Sequence, residues 1–379
     1  MHEKYDDNLR FYLARLRRGA LRAAMTPICN WQPLHSPAPG YTVVIGCPVG
    51  LTRVLFANLA LLQQQRREHL HEVIIAFDVI RSRADHRLLD ALRKRFDNLP
   101  LRFLFYDRRQ ARVLDAIGWA WCYCWLNWAL PLAHTRTRYA IIHDLDALLL
   151  DRSMLEQRYH AIRERGDHYV GVNYYHGNGI VEDDRLAVTF EMACDVRELR
   201  LNHHPIDLFN RITRHQGRRI EFDTFLYPQR NARRSLLPLM PGSMVHPTQL
   251  VCQYVELHRR ARYVPPARNN LPMLAYMYYL AGDELGLERQ RQAWADAQGP
   301  IVDLLGRPAD CRHLAPAHTA WLTAQIERVE HALADRVRDP VRRYLDALNR
   351  FADRQAHAQS QQGNQPDAPV YELEQRHAS

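Results

Sequence analysis

The stretch YAIIHDLDALLLD, residues 139–151, decides how the chain is read. An apolar run leads to His143, two carboxylates follow one residue apart at Asp144 and Asp146, and a second apolar run closes the segment. Near-continuous apolar runs that alternate with helices are the strands of a parallel sheet buried on both faces. The spacing therefore predicts a strand over residues 139–143 with both acids just beyond its carboxyl end. Open α/β sheets bind their ligands at that edge. Two carboxylates on one turn there suit a hard divalent cation that also takes phosphate oxygens.

The pattern extends in both directions. After the proline-rich lead-in QPLHSPAPG, the run YTVVIGC (residues 41–47) predicts a strand, and Leu51, Val54, Leu55, Leu59 and Leu62 then mark one face of a helix. HEVIIAF (71–77) and LRFLFY (101–106) predict two more strands, with helices over 84–96 and 111–134. Downstream, a helix over 153–165 precedes the strand HYVGVNYY, the glycine-containing loop HGNGIVEDD and an extended segment over 186–194. Helices are expected over 205–216 and 250–260, and from Leu271 onward the reading is helical, including 317–338 and 341–357. The expected class is α/β, a Rossmann-like, mostly parallel sheet with helices on both faces and a C-terminal helical extension. The expected organisation is a basic helix with its lead-in over 1–39, the α/β domain over 40–265 and the helical extension over 266–357. A polar tail over 358–379 is low in large hydrophobes and reads as disordered.

Composition narrows the function classes. With 379 residues and 47% hydrophobic content the chain can bury a large core. The net charge of +9 is spread along the chain with no aromatic-rich basic module, which argues against a nucleic-acid partner. Only Lys4 and Lys94 are lysines, so arginine carries almost all the positive charge. A GC-rich genome accounts for that, and planar guanidinium forks also suit phosphate.

Seven cysteines, an odd number without paired spacing, point to reduced thiols and a cytoplasmic setting, with Cys122 and Cys124 as core. No apolar leader opens the chain. Residues 11–25 form a basic amphipathic pattern that fits either a plain surface helix or peripheral contact with an anionic membrane face. The most apolar stretch, residues 117–133, reaches only the lower limit of a membrane span and contains Asn127 and Pro131, so a buried helix is expected.

HDLDALLLD resembles the first motif of the haloacid dehalogenase phosphatases. Ala147 and Leu148 replace that family's Gly and Thr, and no lysine follows Asp144 to steady a nucleophile. A phosphohydrolase of that kind, or a sugar nucleotidyltransferase, is the alternative use of Asp144 and Asp146.

A longer ordered set of motifs exists: VVIGCPVG, EVIIAFD, IIHDLDALLL, EFDTFLY and PGSMVHPTQ. In that order the sequence resembles the GT-A fold glycosyltransferases, closest to the inverting family two enzymes, over residues 41–246. The resemblance implies that Pro48 lines the nucleotide pocket and that Asp78 contacts the base, often uracil. It implies that Asp144 faces the ribose or the metal, that Asp146 holds metal and diphosphate, and that His246 stands near the metal. The cofactor would be Mn2+ or Mg2+ and the donor a UDP- or GDP-type nucleoside diphosphate-sugar, with a glycan, lipid-linked or protein acceptor. Where the family has paired aspartates followed by Gly and Ser, this chain reads FDVIRS, which leaves the nucleotide open.

Asp223 in EFDTFLY is the expected general base, although Asp before Thr also reads as a helix N-cap, and Glu191 and Asp195 compete for the role. Asn178 in HGNG reads either as a lining of the donor-sugar or acceptor pocket or as part of a glycine turn. Arg230, Arg233 and Arg234 read either as phosphate clamps or as a solvated loop.

Overall fold

The computed structural model describes residues 3–361. In chain order its elements begin α1 (Asn8–Met25), β1 (Ala38–Cys47), α2 (Val54–Leu62), β2 (Leu70–Ile80), α3 (His86–Arg95), β3 (Leu101–Tyr106), α4 (Arg108–Ile117), α5 (Ala120–His134) and β4 (Thr137–His143). There follow β5 (Leu148–Leu149), α6 (Met154–Arg165), β6 (Tyr169–Gly171), β7 (Glu191–Asp195), α7 (Val196–Asn202), β8 (Arg211–His215), β9 (Arg218–Phe222), β10 (Arg234–Leu236) and β11 (Met244–Val245). The chain closes with α8 (Leu250–Arg259), α9 (Pro272–Leu280), α10 (Glu284–Asp296), β12 (Ile301–Leu304), β13 (Arg307–Asp310), α11 (Pro316–Ala334) and α12 (Asp339–Gln361). These elements fold as two compact units. Within the described residues, the first takes 3–52, 63–145 and 151–240, and the second takes 53–62, 146–150 and 241–361.

The first unit is α/β and is built on a seven-stranded sheet in the order β10-β6-β7-β4-β1-β2-β3. Only β7 runs against its neighbours β4 and β6; every other adjacent pair is parallel. Because alternate side chains leave a strand on opposite faces, each strand packs two layers. Val44, Ala140 and Ile142 share one core with Trp125, Leu126 and Ala129 of α5. Tyr41 and Tyr139, on the other parity, meet Tyr159 of α6 with ring centroids 5.2 and 5.9 Å apart. Helices thus cover both faces. The long apolar helix is a core element: Trp125 is fully buried and its indole N–H donates to the Pro205 carbonyl at 2.7 Å. Among the described residues no helix is long and apolar enough to cross a membrane.

The second unit gathers α2, the β5–β11 ribbon, the β12–β13 hairpin and α8 to α12. Its core packs Trp294 against Phe351, centroids 5.0 Å apart with the rings tilted by 50°, and buries Glu330 against the Tyr276 hydroxyl at 2.9 Å and the Arg338 guanidinium. Asn58 of α2 donates to the Ala147 carbonyl at 3.0 Å and so pins the segment that carries Asp146.

Several expectations are corrected. The helix expected over 111–134 is two helices, α4 and α5, with Gly118 closing α4 in a left-handed conformation. Asp107 starts α4 through a capping box with Gln110, an arrangement that contributes about 1 kcal/mol. Residues 205–216 are not a helix but a single 3-10 turn followed by the β8–β9 hairpin. The segment HYVGVNYY keeps only the three residues of β6 as strand. The C-terminal extension contains the β12–β13 hairpin between α10 and α11. Helix α12 runs to Gln361, past the start expected for a disordered tail; residues 362–379 lie outside the described residues.

Candidate active site

Three groups of predicted residues occupy the chain around the carboxyl end of the sheet and the hairpin that follows it. The first group lies on β1 and β2 of the first unit. Strand β1 ends at Cys47, Pro48 turns the chain, and the Val49 N–H donates to Asp78 Oδ1 at 2.7 Å. Asp78 thus fixes the loop that carries Pro48. Burial pushes its carboxyl up to about 6, against the opposing pull of the Val49 N–H. Asn127 of α5 is buried and accepts the Tyr106 hydroxyl at 2.8 Å, so it braces the same corner from inside.

The second group begins at the end of β4. His143 and Glu191 face each other across the β4–β7 pair, with Nδ1 2.6 Å from Oε2 and neither side chain exposed at all. Glu191, a rival for the general base, is therefore sealed in the core and out of reach of any acceptor. Asp195, the other rival, is buried at the opposite end of β7, where it caps α7 through the Glu198 N–H at 3.1 Å and pairs with Arg138. Asp144 leaves β4 immediately after His143, with its N–H donated to the Phe190 carbonyl at 2.9 Å.

Asp146 stands two residues further on and belongs to the second unit. There the antiparallel register pairs Val245 with Leu148 and Met244 with Leu149, and the Leu150 N–H donates to Ser243 at 2.7 Å. Continuing that register by one residue brings His246 opposite Ala147, beside Asp146. Accordingly His246 Nε2 lies 3.6 Å from Asp146 Oδ1, longer than a hydrogen bond and short enough for both to ligate one ion. Asp144 is separated from Asp146 by a single residue, so one short segment of sequence carries two carboxylates and its ribbon partner an imidazole. That donor set fits Mn2+ well and Mg2+ less well, because the imidazole is a softer ligand than magnesium ordinarily takes.

The third group surrounds Asp223, the first residue after β9. Its carboxylate is half-buried and accepts from the Thr224 N–H at 2.7 Å and from Asn210 Nδ2 at 2.9 Å. Burial raises its pKa, and those two donors pull the other way. The Tyr175 hydroxyl also bonds Asp223 and accepts from Asn178 Nδ2 at 2.8 Å. The HGNG loop with Asn178 is thus tied to the Asp223 carboxylate through one tyrosine. The Asn178 side-chain oxygen in turn accepts from Lys4 Nζ at 2.7 Å. Sequence reasoning missed Tyr175, Asn210 and Lys4. The tyrosine beside HGNG was the available signal, whereas the contact of an N-terminal lysine left none.

The arginines after Asp223 are corrected. Arg234 spends its donors on the carbonyls of Asp184, Arg185, Gln229 and Ala232. Arg233 follows His168 at the amino ends of β10 and β6, the sheet edge opposite to Asp144, and Arg230 lies over the Tyr227 ring at 4.1 Å. Arg234 braces the fold, whereas Arg230 and Arg233 are exposed, as a solvated loop requires.

No family model and no curated protein matches the chain. Solved structures resemble it distantly. S. aureus TarS matches with 12% identity and a TM-score of 0.37 over 83% of this chain and 55% of its own. The mannosyltransferase PcManGT from Pyrobaculum calidifontis, solved with GDP-Man and Mn2+, matches with 14% identity and a TM-score of 0.35 over 94% of this chain and 98% of its own. The galactosyltransferase LgtC matches with 8% identity and a TM-score of 0.32 over 44% and 62%. The chain thus spans only about half the length of the TarS chain. At these scores the likenesses stand as observations, and the function is argued from the chain's own residues.

Proposed function

We propose that the chain is a metal-dependent glycosyltransferase that moves a sugar from a UDP- or GDP-type nucleoside diphosphate to an acceptor hydroxyl, by an inverting single displacement. The observation that carries this reading is the Asp146–His246 pair on the β5–β11 ribbon, with Asp144 two residues before Asp146 in the chain. Asp144, Asp146 and His246 hold the Mn2+ or Mg2+. Bound there, the ion supplies Lewis-acid stabilisation of the departing diphosphate. Pro48 and Asp78 border the nucleotide, and the hydrogen bond from Val49 keeps that loop in one conformation before the donor arrives.

Asp223 is the general base. It takes the acceptor proton as the acceptor oxygen bonds the anomeric carbon and the bond to diphosphate breaks. A carboxylate pushed upward by burial is a stronger base than one in water, and Asn210 and Thr224 both hold its Oδ1 in place. Asn178 lines the sugar or acceptor side through Tyr175. The acceptor is a glycan, a lipid-linked glycan or a protein.

Helix α1 supports a place for the reaction at the inner face of a membrane. It leaves Leu9, Tyr12, Leu13 and Leu16 at 66%, 53%, 57% and 72% exposure, among the exposed Arg10, Arg15 and Arg17. A stripe of that kind binds anionic lipid. Flotation with phosphatidylglycerol vesicles should carry the protein, and Leu13→Glu together with Leu16→Glu should release it.

No specific observation favours a phosphohydrolase or a nucleotidyltransferase. The deciding experiment screens UDP-, GDP- and dTDP-sugars for Mn2+-dependent thermal stabilisation and donor hydrolysis, with Asp146→Ala as control. One donor should stabilise the wild type and lose its effect in the variant. Stabilisation that persists unchanged in Asp146→Ala would refute the assigned metal role.

A further inference from the structure

A second cluster of cation ligands lies within the first unit, at the amino ends of the strands. His69 stands just before β2, and Glu156 and His160 lie one helical turn apart on α6. His69 Nδ1 is 2.7 Å from Glu156 Oε2, and His160 Nε2 is 3.8 Å from that same oxygen. One ligand atom from each of the three residues lies within 4.8 Å of the other two. The register of β1 with β2 pairs Tyr41 with Leu70, so this cluster sits at the sheet edge opposite to Asp144.

The placement of Glu156 is the telling feature. Its side chain is 7% exposed, whereas the two histidines at its rim are 35% and 37% exposed. Its other oxygen, Oε1, is held by the Tyr41 hydroxyl at 3.0 Å and the His69 N–H at 3.1 Å. Oε2 is thereby turned outward, between two imidazoles that solvent can reach. On the far side of His160, Nδ1 has Glu164 Oε1 at 3.5 Å and an Arg163 amine at 3.4 Å. A carboxylate on the outer nitrogen is the partner that fixes the ring of a metal-bound histidine. Arg163 is drawn over the Tyr159 ring, 5.2 Å from its centroid, where that positive charge has another partner.

We propose that His69, Glu156 and His160 form a second divalent-cation site, selective for Zn2+ and separate from the acids at the carboxyl edge. Two imidazoles and one carboxylate are the borderline donor set that zinc takes in three-ligand sites, with a fourth position left to water. Two carboxylates and one imidazole at Asp144, Asp146 and His246 form a harder set, better matched to Mn2+. The two donor sets thus carry different cation preferences. The zinc site joins the segment leading into β2 to α6.

Co2+ serves as a spectroscopic stand-in for Zn2+. Wild type and Asp146→Ala should both develop the visible absorption of a protein-bound, low-coordinate Co2+ and lose it when one equivalent of Zn2+ is added. His160→Ala changes a partly exposed position and should fold. It should bind Zn2+ at least tenfold more weakly while keeping Mn2+-dependent donor hydrolysis. His69→Ala should repeat that loss, which separates ligation from a local effect of α6. Absence of the absorption in wild type, or unchanged Zn2+ affinity in both histidine variants, would overturn the proposal. Loss of the absorption in Asp146→Ala but not in His160→Ala would overturn it too. The glycosyltransferase reading is scored separately by the Mn2+-dependent reaction.

Discussion

Two carboxylate–histidine pairs flank one short stretch of sequence and have opposite characters. His143 and Glu191 sit 2.6 Å apart, fully buried in the first unit, across paired strands that hold them in register. Asp146 and His246 sit 3.6 Å apart in the second unit, on a two-residue ribbon rather than a continuous sheet. The residue types match and the chemistry does not. At the shorter distance His143 Nδ1 and Glu191 Oε2 share a hydrogen bond inside the core. At the longer one the two atoms are too far apart for a direct hydrogen bond and close enough to ligate one ion. Complete burial, rather than the motif, therefore marks the packed pair: both side chains of His143 and Glu191 are sealed, whereas His246 keeps 12% exposure.

That contrast can be broken at either pair. The largest effect is expected at Asp146→Ala, where donor turnover should fall about 10³-fold, the equivalent of about 4 kcal/mol of charge stabilisation, with little change in melting temperature. Asp223→Asn should lower kcat by about 10²- to 10⁴-fold and leave Mn2+ affinity unchanged, as steady-state rates and calorimetry would show. His143→Phe should do the reverse of Asp146→Ala. It leaves the Glu191 carboxylate buried without its partner, at a cost of about 1–3 kcal/mol in denaturant unfolding, while the KM for donor stays near wild type.

The smallest effect concerns Asp78. Its carboxyl is raised to about 6 in the folded chain, above the ordinary aspartate value of about 3.9 in the unfolded one. The folded state therefore holds the extra proton between those values. Stability contributed by this group is present below about pH 4 and is lost as the pH rises through about 6. Asp78→Asn should flatten that part of the pH–stability curve, and an unchanged slope would place the raised group elsewhere.

The parallel half of the sheet was legible because doubly buried strands must be apolar throughout. LRFLFY became β3 with the expected bounds, and the runs at 41–47, 71–77 and 139–143 each fall within an observed strand. Among the elements the sequence reading missed, β8–β9 and β12–β13 are hairpins with short strands that carry too few residues for a clear apolar pattern. Each turns on a residue followed by glycine, Gln216–Gly217 and Leu305–Gly306, with φ of 48° and 80° and of 54° and 82°. Positive φ at both central residues is the turn that suits hairpin twist, so X–Gly between short runs was the overlooked signal. The carboxylates of the site were legible from their spacing. The partners that decide between base and buried acid, such as Asn210 and Tyr175 for Asp223 or His143 for Glu191, lie 13 to 48 positions away from them or are set by strand register. No local pattern encodes such distances.

The most direct test is a crystal of the protein grown with Mn2+ and the nucleoside diphosphate of the preferred donor, with data collected above the manganese absorption edge. An anomalous peak coordinated by Asp146 and His246, with Asp144 beside it and the diphosphate completing the sphere, is the predicted result. A saturated nucleotide site with no peak at those residues, or manganese bound elsewhere, would contradict the account.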